Sequence, residues 1–172
     1  MTLYVTIVES PCGPLLCVID EAGAVVRIEF SGKEGRDSQK MTERLRDRGI
    51  EVVEEPSRTA EVRRQLEEYF AGGRREFDLT LAPRGTPFEL AVWEELKKIP
   101  FGETRSYGEI TAALGHPGSA RAVGRANGAN PIPIVVPCHR VIGADGSLTG
   151  FGGGLEAKSR LLEIEGRILP FG

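Results

Sequence analysis

Residues 106–128 read SYGEITAALGHPGSARAVGRANG, and their punctuation decides how the second half of the chain folds. Ser106 and Glu109 stand three residues apart, the spacing at which a serine hydroxyl and a glutamate carboxylate close each other's helix-end N–H groups. This predicts a helix from Ser106, stopped by Gly115. After the short turn HPG, SARAVGRANG supplies a second helix. Two helices joined by a few residues containing glycine form the helix-turn-helix pattern. Upstream, TPFELAVWEELKKI predicts another helix, with Thr86 as N-cap, Pro87 at the first helical position, and Phe88, Val92, Trp93 and Leu96 buried. Pro100 and Gly102 end it.

The helix that starts at Ser119 is thin-skinned. Ser119, Ala120, Ala122, Gly124 and Ala126 let its backbone approach a partner closely, and one long cation, Arg121, stands on its first turn. Tight packing against another helix also favours small residues. Docking on DNA explains in addition why an arginine stands at the helix start. The net charge of −3 argues against a protein that coats nucleic acid through bulk charge. Yet no acid lies between Glu109 and Asp145, while Arg121, Arg125 and Arg140 do. A neutral domain with one acid-free basic segment is compatible with local phosphate contact.

The first third of the chain reads as strands. LYVTIVES, LLCVID and AVVRIEF are β-branched and apolar runs, separated by the turn-rich SPCGP and by a hairpin turn at EAG. SRTAEVRRQLEEYFAG predicts a helix capped by Ser57 or Thr59, with Val62, Leu66, Tyr69 and Phe70 on one face and Gly72 and Gly73 as the stop. REFDLTLAPRG reads as a short strand running into a linker. This places a domain boundary near Arg84, between residues 1–84 and 85–172. No apolar run reaches membrane-spanning length, and MTLYVTIVES lacks the marks of a signal peptide. Three cysteines leave at least one unpaired. Cys12 and Cys17 are open to bridging, but nothing in the composition suggests a disulfide framework, so a reducing cytoplasm is expected.

Chemistry concentrates at NPIPIVVPCHRVIG, residues 130–143, which spends one of three cysteines and one of two histidines on neighbouring positions after an apolar, strand-like run. Cys138 is either a small core residue or a thiol held beside its own proton acceptor. A thiol attacks only as thiolate, so a reactive one needs a base, a cation or a helix N-terminus nearby. Neighbours on an extended strand point to opposite faces, so His139 reaches Cys138 only through a turn or a bridging water. A proline before the pair and the glycine-rich turns of GADGSLTGFGGG supply such a turn. The helix LEAKSRLLEIEG brings Glu165 late enough to accept the other imidazole N–H, which gives a Cys-His-Glu relay of the protease-triad kind.

GTPFELAVWEELKKIPFGETRSYGEI, RAVGRANGANPIPIVVPCHRVIG and GGGLEAKSRLLEIEG resemble, in order and spacing, the catalytic domain of the O6-alkylguanine-DNA alkyltransferases, the methylated-DNA–protein-cysteine methyltransferases. SPCGPL and EYFAG resemble that family's first domain. The resemblance implies an α/β protein: an N-terminal ribonuclease-H-like α/β roll of supporting role over residues 1–84. A mostly helical, winged-helix-like domain over 85–172 would carry catalysis and the helix-turn-helix. It implies DNA repair by direct damage reversal. Cys138 takes the alkyl group from O6 of guanine, and from O4 of thymine, in one irreversible displacement that consumes the protein. His139, acting through water and oriented by Glu165, generates the thiolate, and Asn130 ties the active-site turn to the recognition helix. Tyr107 crowds the target phosphate and assists proton delivery to the leaving guanine. Arg121 fills the gap left in the duplex, and the helix start at Ser119, Ala120, Arg121 and Ala122 lies in the minor groove. Because O6 faces the major groove within the stack, the nucleotide must be flipped out.

Pro133, Val141, Phe151 and Gly152 are expected to line the base pocket. The family often has Tyr-Ser where this chain has Phe151-Gly152. Gly152 retains the backbone N–H that faces guanine O6, whereas Phe151 keeps an aromatic wall and loses a hydroxyl. The resemblance implies no cofactor and a monomer whose partner is double-stranded DNA containing alkylated guanine. Some relatives hold zinc in the first domain; here that domain has two cysteines and no histidine, so no metal is expected. A damage sensor that transfers nothing would lack Cys138. A transcription regulator would need several Arg, Asn or Gln side chains on its recognition helix. A cysteine hydrolase is the most distant alternative.

Overall fold

The computed structural model describes residues 1–32, 36–115 and 120–166. They fall into two compact units, Met1–Pro83 and Arg84–Gly172.

In the first unit β1 (Thr2–Val8), β2 (Leu15–Ile19), β3 (Val25–Phe30) and β4 (Glu51–Val53) form one sheet in the order β3-β2-β1-β4. The β1–β2 and β2–β3 pairs are antiparallel, with Val5 opposite Val18 and Cys17 opposite Ile28. β4 runs parallel to β1 and therefore needs a crossover, which α1 (Arg36–Asp47) occupies. All five residues of β2 are buried, as a continuous apolar run covered on both faces demands. One face packs Leu3, Val5, Leu16 and Val18 against Met41 and Leu45 of α1. α2 (Pro56–Phe70) lies against β1 and β2 and buries Val62, Leu66 and Tyr69.

Two expectations for this unit change. The N-cap of α2 is Glu55, whose side chain makes no capping bond, and Pro56 opens the helix, a position that tolerates its missing N–H. Thr59 lies inside the helix and is buried instead. Residues 75–85 form no regular strand: Leu81 makes only an isolated parallel bridge to Val25, through Val25 N–H to Thr80 O and Ala82 N–H to Val25 O. α1 and β4 were not legible, since RDSQKMTERLRD offers only Met41 and Leu45 as apolar anchors and β4 has three residues.

The second unit is built on α3 (Pro87–Leu96), α4 (Tyr107–Ala113), α5 (Ala120–Gly128) and α6 (Leu155–Ile164). A small parallel pair joins β5 (Arg105–Ser106) to β6 (Val141–Ile142). Thr86 and Glu89 close a reciprocal capping box on α3, and Ser106 and Glu109 do the same on α4. Each cap is worth about 1 kcal/mol. Val92, Trp93 and Leu96 are buried as expected; Phe88 is only half-buried. Trp93 donates from Nε1 to the Ala126 carbonyl at 2.8 Å, which pins α3 to α5. Gly85 is required here, because a Cβ at that position would stand 2.5 Å from the Trp93 ring. α4 ends through Leu114 and Gly115, whose φ of 73° favours glycine. The turn HPG and Ser119 lie outside the described residues, and α5 follows from Ala120.

Candidate active site and DNA-facing helix

Residues 130–137 are not a strand. Val136 N–H reaches back to the Ile132 carbonyl at 2.9 Å, Pro133 and Val136 form an isolated bridge, and Ile134 takes a φ of 75°, unusual for a β-branched residue. Prolines at 131, 133 and 137 remove three N–H donors, so this apolar run folds into consecutive turns instead of a ladder. The chain then enters one 3-10 turn, Cys138–Arg140, with all three side chains buried. This turn removes the geometric objection to neighbouring Cys and His side chains serving one site.

Asn130 organises the approach. Its Nδ2 donates to the Val136 carbonyl at 2.8 Å and its Oδ1 accepts from Ile132 N–H at 3.0 Å. Its side chain also favours the ionised form of the Cys138 thiol. Asn127, on α5, donates to the Cys138 carbonyl at 3.3 Å. The cysteine backbone is thus tied directly to α5, through a residue with no functional signal in its sequence pattern.

His139 is fully buried and meets Glu165 at 2.7 Å between Nε2 and Oε2. Arg140 grips the same carboxylate with two bonds, Nε to Oε1 at 2.7 Å and Nη2 to Oε2 at 3.0 Å, and donates from Nη1 to the Ile99 carbonyl at 2.6 Å. Arg140 is 6% exposed. It is therefore no phosphate ligand, contrary to what its place in the acid-free segment suggested. A carboxylate that already holds an arginine is an acceptor, so His139 presents Nε2–H to it and keeps a lone pair on Nδ1. Nδ1 is buried with no hydrogen-bond partner among the described residues. Burial lowers the His139 pKa, opposed by the hydrogen bond to Glu165, so the ring is neutral and able to take a proton.

Burial pushes the Cys138 thiol up to about 11, against the hydrogen bond from Asn130 and the positive charge of Lys158. The resting group is a thiol, and attack requires removal of its proton. Lys158 was not selected from the sequence, although its position was informative: it lies on the buried stripe of α6 with Leu161, Leu162 and Glu165. A lysine at that spacing is a buried charge.

Pro133 and Val141 are buried close to the cysteine in sequence, Phe151 is half-buried, and Gly152 is exposed on the loop before α6. Tyr107 opens α4, half-buried, and its hydroxyl accepts from Thr149 Oγ1 at 2.8 Å. Its ring passes α5 at Gly124, where a Cβ would lie 3.9 Å from Cε1. On α5, Val123, Ala126 and Asn127 face inward, while Ala120, Arg121 and Arg125 are exposed and Ala122 is half-buried. Arg121 and Arg125 are four residues apart, on one face of the helix, and neither has an ion-pair partner among the described residues. Ser119 is the one selected residue outside the described part.

A buried cysteine, a buried histidine bonded to a glutamate and a helix with two exposed arginines lie in the same unit, a set suited to the class of DNA-binding proteins that use a thiol. Residues 87–167 match the family described as 6-O-methylguanine DNA methyltransferase, DNA binding domain, and residues 3–83 match its ribonuclease-like domain. The chain belongs to the O6-methylguanine-DNA methyltransferase family. It is 48% identical over 168 residues to the methylated-DNA–protein-cysteine methyltransferase of Methanosarcina acetivorans, covering 95% of this chain and 99% of that one. It is 44% identical to the constitutive enzyme of that name from Bacillus subtilis, covering 94% of each. Among solved structures it resembles O6-methylguanine methyltransferase of Mycobacterium tuberculosis, with TM-score 0.80, 43% identity, and 95% of this chain and 92% of that one covered. It is also similar to OGT of the same organism in complex with DNA, with TM-score 0.79, 42% identity, and 96% and 92% covered.

Proposed function

We infer that the protein repairs DNA by direct reversal, acting once as a methylated-DNA–protein-cysteine methyltransferase. The observation that carries this reading is the buried Cys138–His139–Glu165 arrangement within a DNA-binding unit of that family. We propose that residues 85–172 carry both DNA binding and chemistry, with residues 1–84 in support.

The exposed face of α5, with Ala120, Arg121 and Ala122, lies in the minor groove, and Arg121 takes the place of a flipped nucleotide. Pro133, Val141, Phe151 and Gly152 wall the extruded base. The Cys138 proton passes to His139 Nδ1 through a bridging water. The thiolate then attacks the alkyl carbon: the S–C bond forms as the C–O6 bond breaks, and the electron pair leaves with guanine. The base is restored when a proton reaches it by way of the Tyr107 hydroxyl. A thioether has no leaving path under these conditions, so the protein is spent. Alkylated guanine in duplex DNA is the substrate, with O4-alkylthymine as a second; the protein acts as a monomer in the cytoplasm. No helix among the described residues is long and apolar enough to cross a membrane.

Incubation with a duplex carrying one O6-methylguanine tests this. The expected result is a gain of one methyl group per protein molecule together with restored guanine in the DNA. Loss of the lesion with no mass gain would overturn the reading in favour of hydrolysis.

A further inference from the structure

The loop between the 3-10 turn and α6 meets the helix-turn-helix at a pair of hydroxyls. Thr149 Oγ1 donates to the Tyr107 hydroxyl at 2.8 Å, across 42 residues of sequence. Among the described residues Thr149 is the sole hydrogen-bond partner of that hydroxyl. Thr149 is exposed, so nothing in the core calls for a threonine there. Water could satisfy both groups equally well, and an exposed hydrogen bond between neutral hydroxyls adds little to stability.

The pair is held from both ends. Tyr107 opens α4 directly after the N-cap Ser106, and its ring passes α5 at Gly124, where an added Cβ would lie 3.9 Å from Cε1. The Thr149 backbone is anchored on α6, where Lys158 Nζ donates to its carbonyl at 2.9 Å. The phenol oxygen therefore stands at a fixed point between α4 and the loop that leads into Phe151 and Gly152. A tyrosine hydroxyl has one proton to give and lone pairs with which to receive. Thr149 fills one of those lone pairs, which leaves the phenol proton free and turned away from the threonine.

We propose that Thr149 is a positioning residue for alkyl transfer: by donating to the Tyr107 oxygen it turns the phenol proton toward the leaving guanine and steadies the charge left behind when that proton departs. This rests on the reading that Tyr107 delivers the proton. As the S–C bond forms and the C–O6 bond breaks, the electron pair passes into the guanine. The phenol O–H bond breaks toward the base, and its electron pair stays on the Tyr107 oxygen. The Thr149 O–H bond stays intact throughout. Hydrogen bonds to an ionised acceptor are roughly twice as strong as those between neutral groups, so this contact tightens as the proton leaves. The phenolate afterwards recovers a proton from water.

Two other roles for the same contact leave different kinetic marks. If Tyr107 donated to Thr149, its proton would be turned from the substrate, and removing the threonine hydroxyl would speed transfer. A contact that only steadied the pocket loop would act on how tightly the duplex is held, and not on the rate once it is bound. Orientation of a proton donor acts on the transition state, so it appears in the maximal rate.

The test is single-turnover methyl transfer from a duplex carrying one O6-methylguanine, measured against DNA concentration. It compares wild type, Thr149→Val, Thr149→Ser, Tyr107→Phe and the double variant of Tyr107→Phe with Thr149→Val. Thr149→Val should lower the maximal rate about tenfold, the worth of one hydrogen bond to a developing charge, with the half-saturating DNA concentration unchanged. Thr149→Ser keeps the hydroxyl and should stay within about twofold of wild type. Tyr107→Phe should be at least as slow as Thr149→Val, and adding Thr149→Val to it should bring no further loss, because the oxygen that the threonine serves is gone. Iodoacetamide alkylation of Cys138 releases no guanine, so there Thr149→Val should match wild type. A faster Thr149→Val, weaker binding with an unchanged maximal rate, a serine variant as slow as the valine one, an undiminished loss in the Tyr107→Phe background, or an equal loss with iodoacetamide overturns the proposal. No methyl transfer by wild type would sink the parent reading and this one with it. Wild-type transfer matched by Thr149→Val would sink only this one.

Discussion

Cys17 and Cys138 are both buried, both unbridged and both pushed well above the ordinary thiol range, to about 12 and about 11. Their surroundings differ. Cys17 sits mid-strand on β2 between apolar neighbours, where burial dominates and the only opposing influence is the charge of Arg63. Cys138 sits on a 3-10 turn with a neutral histidine beside it in the chain, and both the Asn130 side chain and the Lys158 charge favour its ionised form. Burial makes both thiols inert at rest. Only the second has beside it groups of the kind that take a proton and stabilise a thiolate, so we propose that reactivity here is a property of the shell and not of exposure.

The comparison breaks most sharply at the nucleophile itself. Cys138→Ser should abolish methyl transfer while duplex binding, followed by fluorescence anisotropy, stays near wild type. Cys17→Ala should transfer at the wild-type rate. Next in size is the relay. His139→Ala should slow single-turnover transfer by roughly 10²–10⁴-fold, the usual worth of a general base. Because burial holds His139 below its ordinary pKa, the neutral, proton-accepting ring persists to lower pH, so the acid limb of the wild-type rate lies below pH 6.5. Glu165→Gln removes the carboxylate charge that raises this pKa, so the limb should move further down while the maximal rate falls. That substitution also strands the buried Arg140, at a cost of about 3 kcal/mol in denaturant melts.

Arg121 sharpens the comparison from the outside. If it props open the duplex, Arg121→Ala should slow the saturated rate on duplex by roughly tenfold or more, the kinetic equivalent of part of the few kcal/mol that unstacking costs, and leave the reaction with free O6-methylguanine unchanged. A phosphate contact alone would weaken binding to every duplex and flatten its salt dependence without touching the saturated rate. Smallest is the packing of Cys17: its replacement by alanine leaves a gap about one sulfur in size, worth about 1 kcal/mol of stability.

The caps of α3 and α4 and the inward face of α3 were legible, because each follows from local spacing that the tertiary structure had no reason to override, whereas the pairing of His139 with Glu165 came from the family resemblance. The failures share a cause. Arg140 and Arg125 look alike in the sequence, both basic in an acid-free stretch, yet Arg140 is folded inward onto Glu165 while Arg125 faces solvent. That difference depends on a partner twenty-five residues away. Residues 130–137 have strand composition, but their three prolines withhold the ladder donors a strand needs. Asn127 and Thr149 act through backbone carbonyls or loop closure, which leave no trace in side-chain pattern. Lys158 did leave one, as a charge on an apolar stripe.

The central claim is that Cys138 alone has the shell that makes a buried thiol a nucleophile. Peptide mapping of all three cysteines after reaction with a methylated duplex tests it most directly. One methyl group per chain is expected, all of it on the peptide containing Cys138, with Cys12 and Cys17 unmodified even at a large excess of DNA. Methyl groups on Cys12 or Cys17 at comparable yield would contradict it.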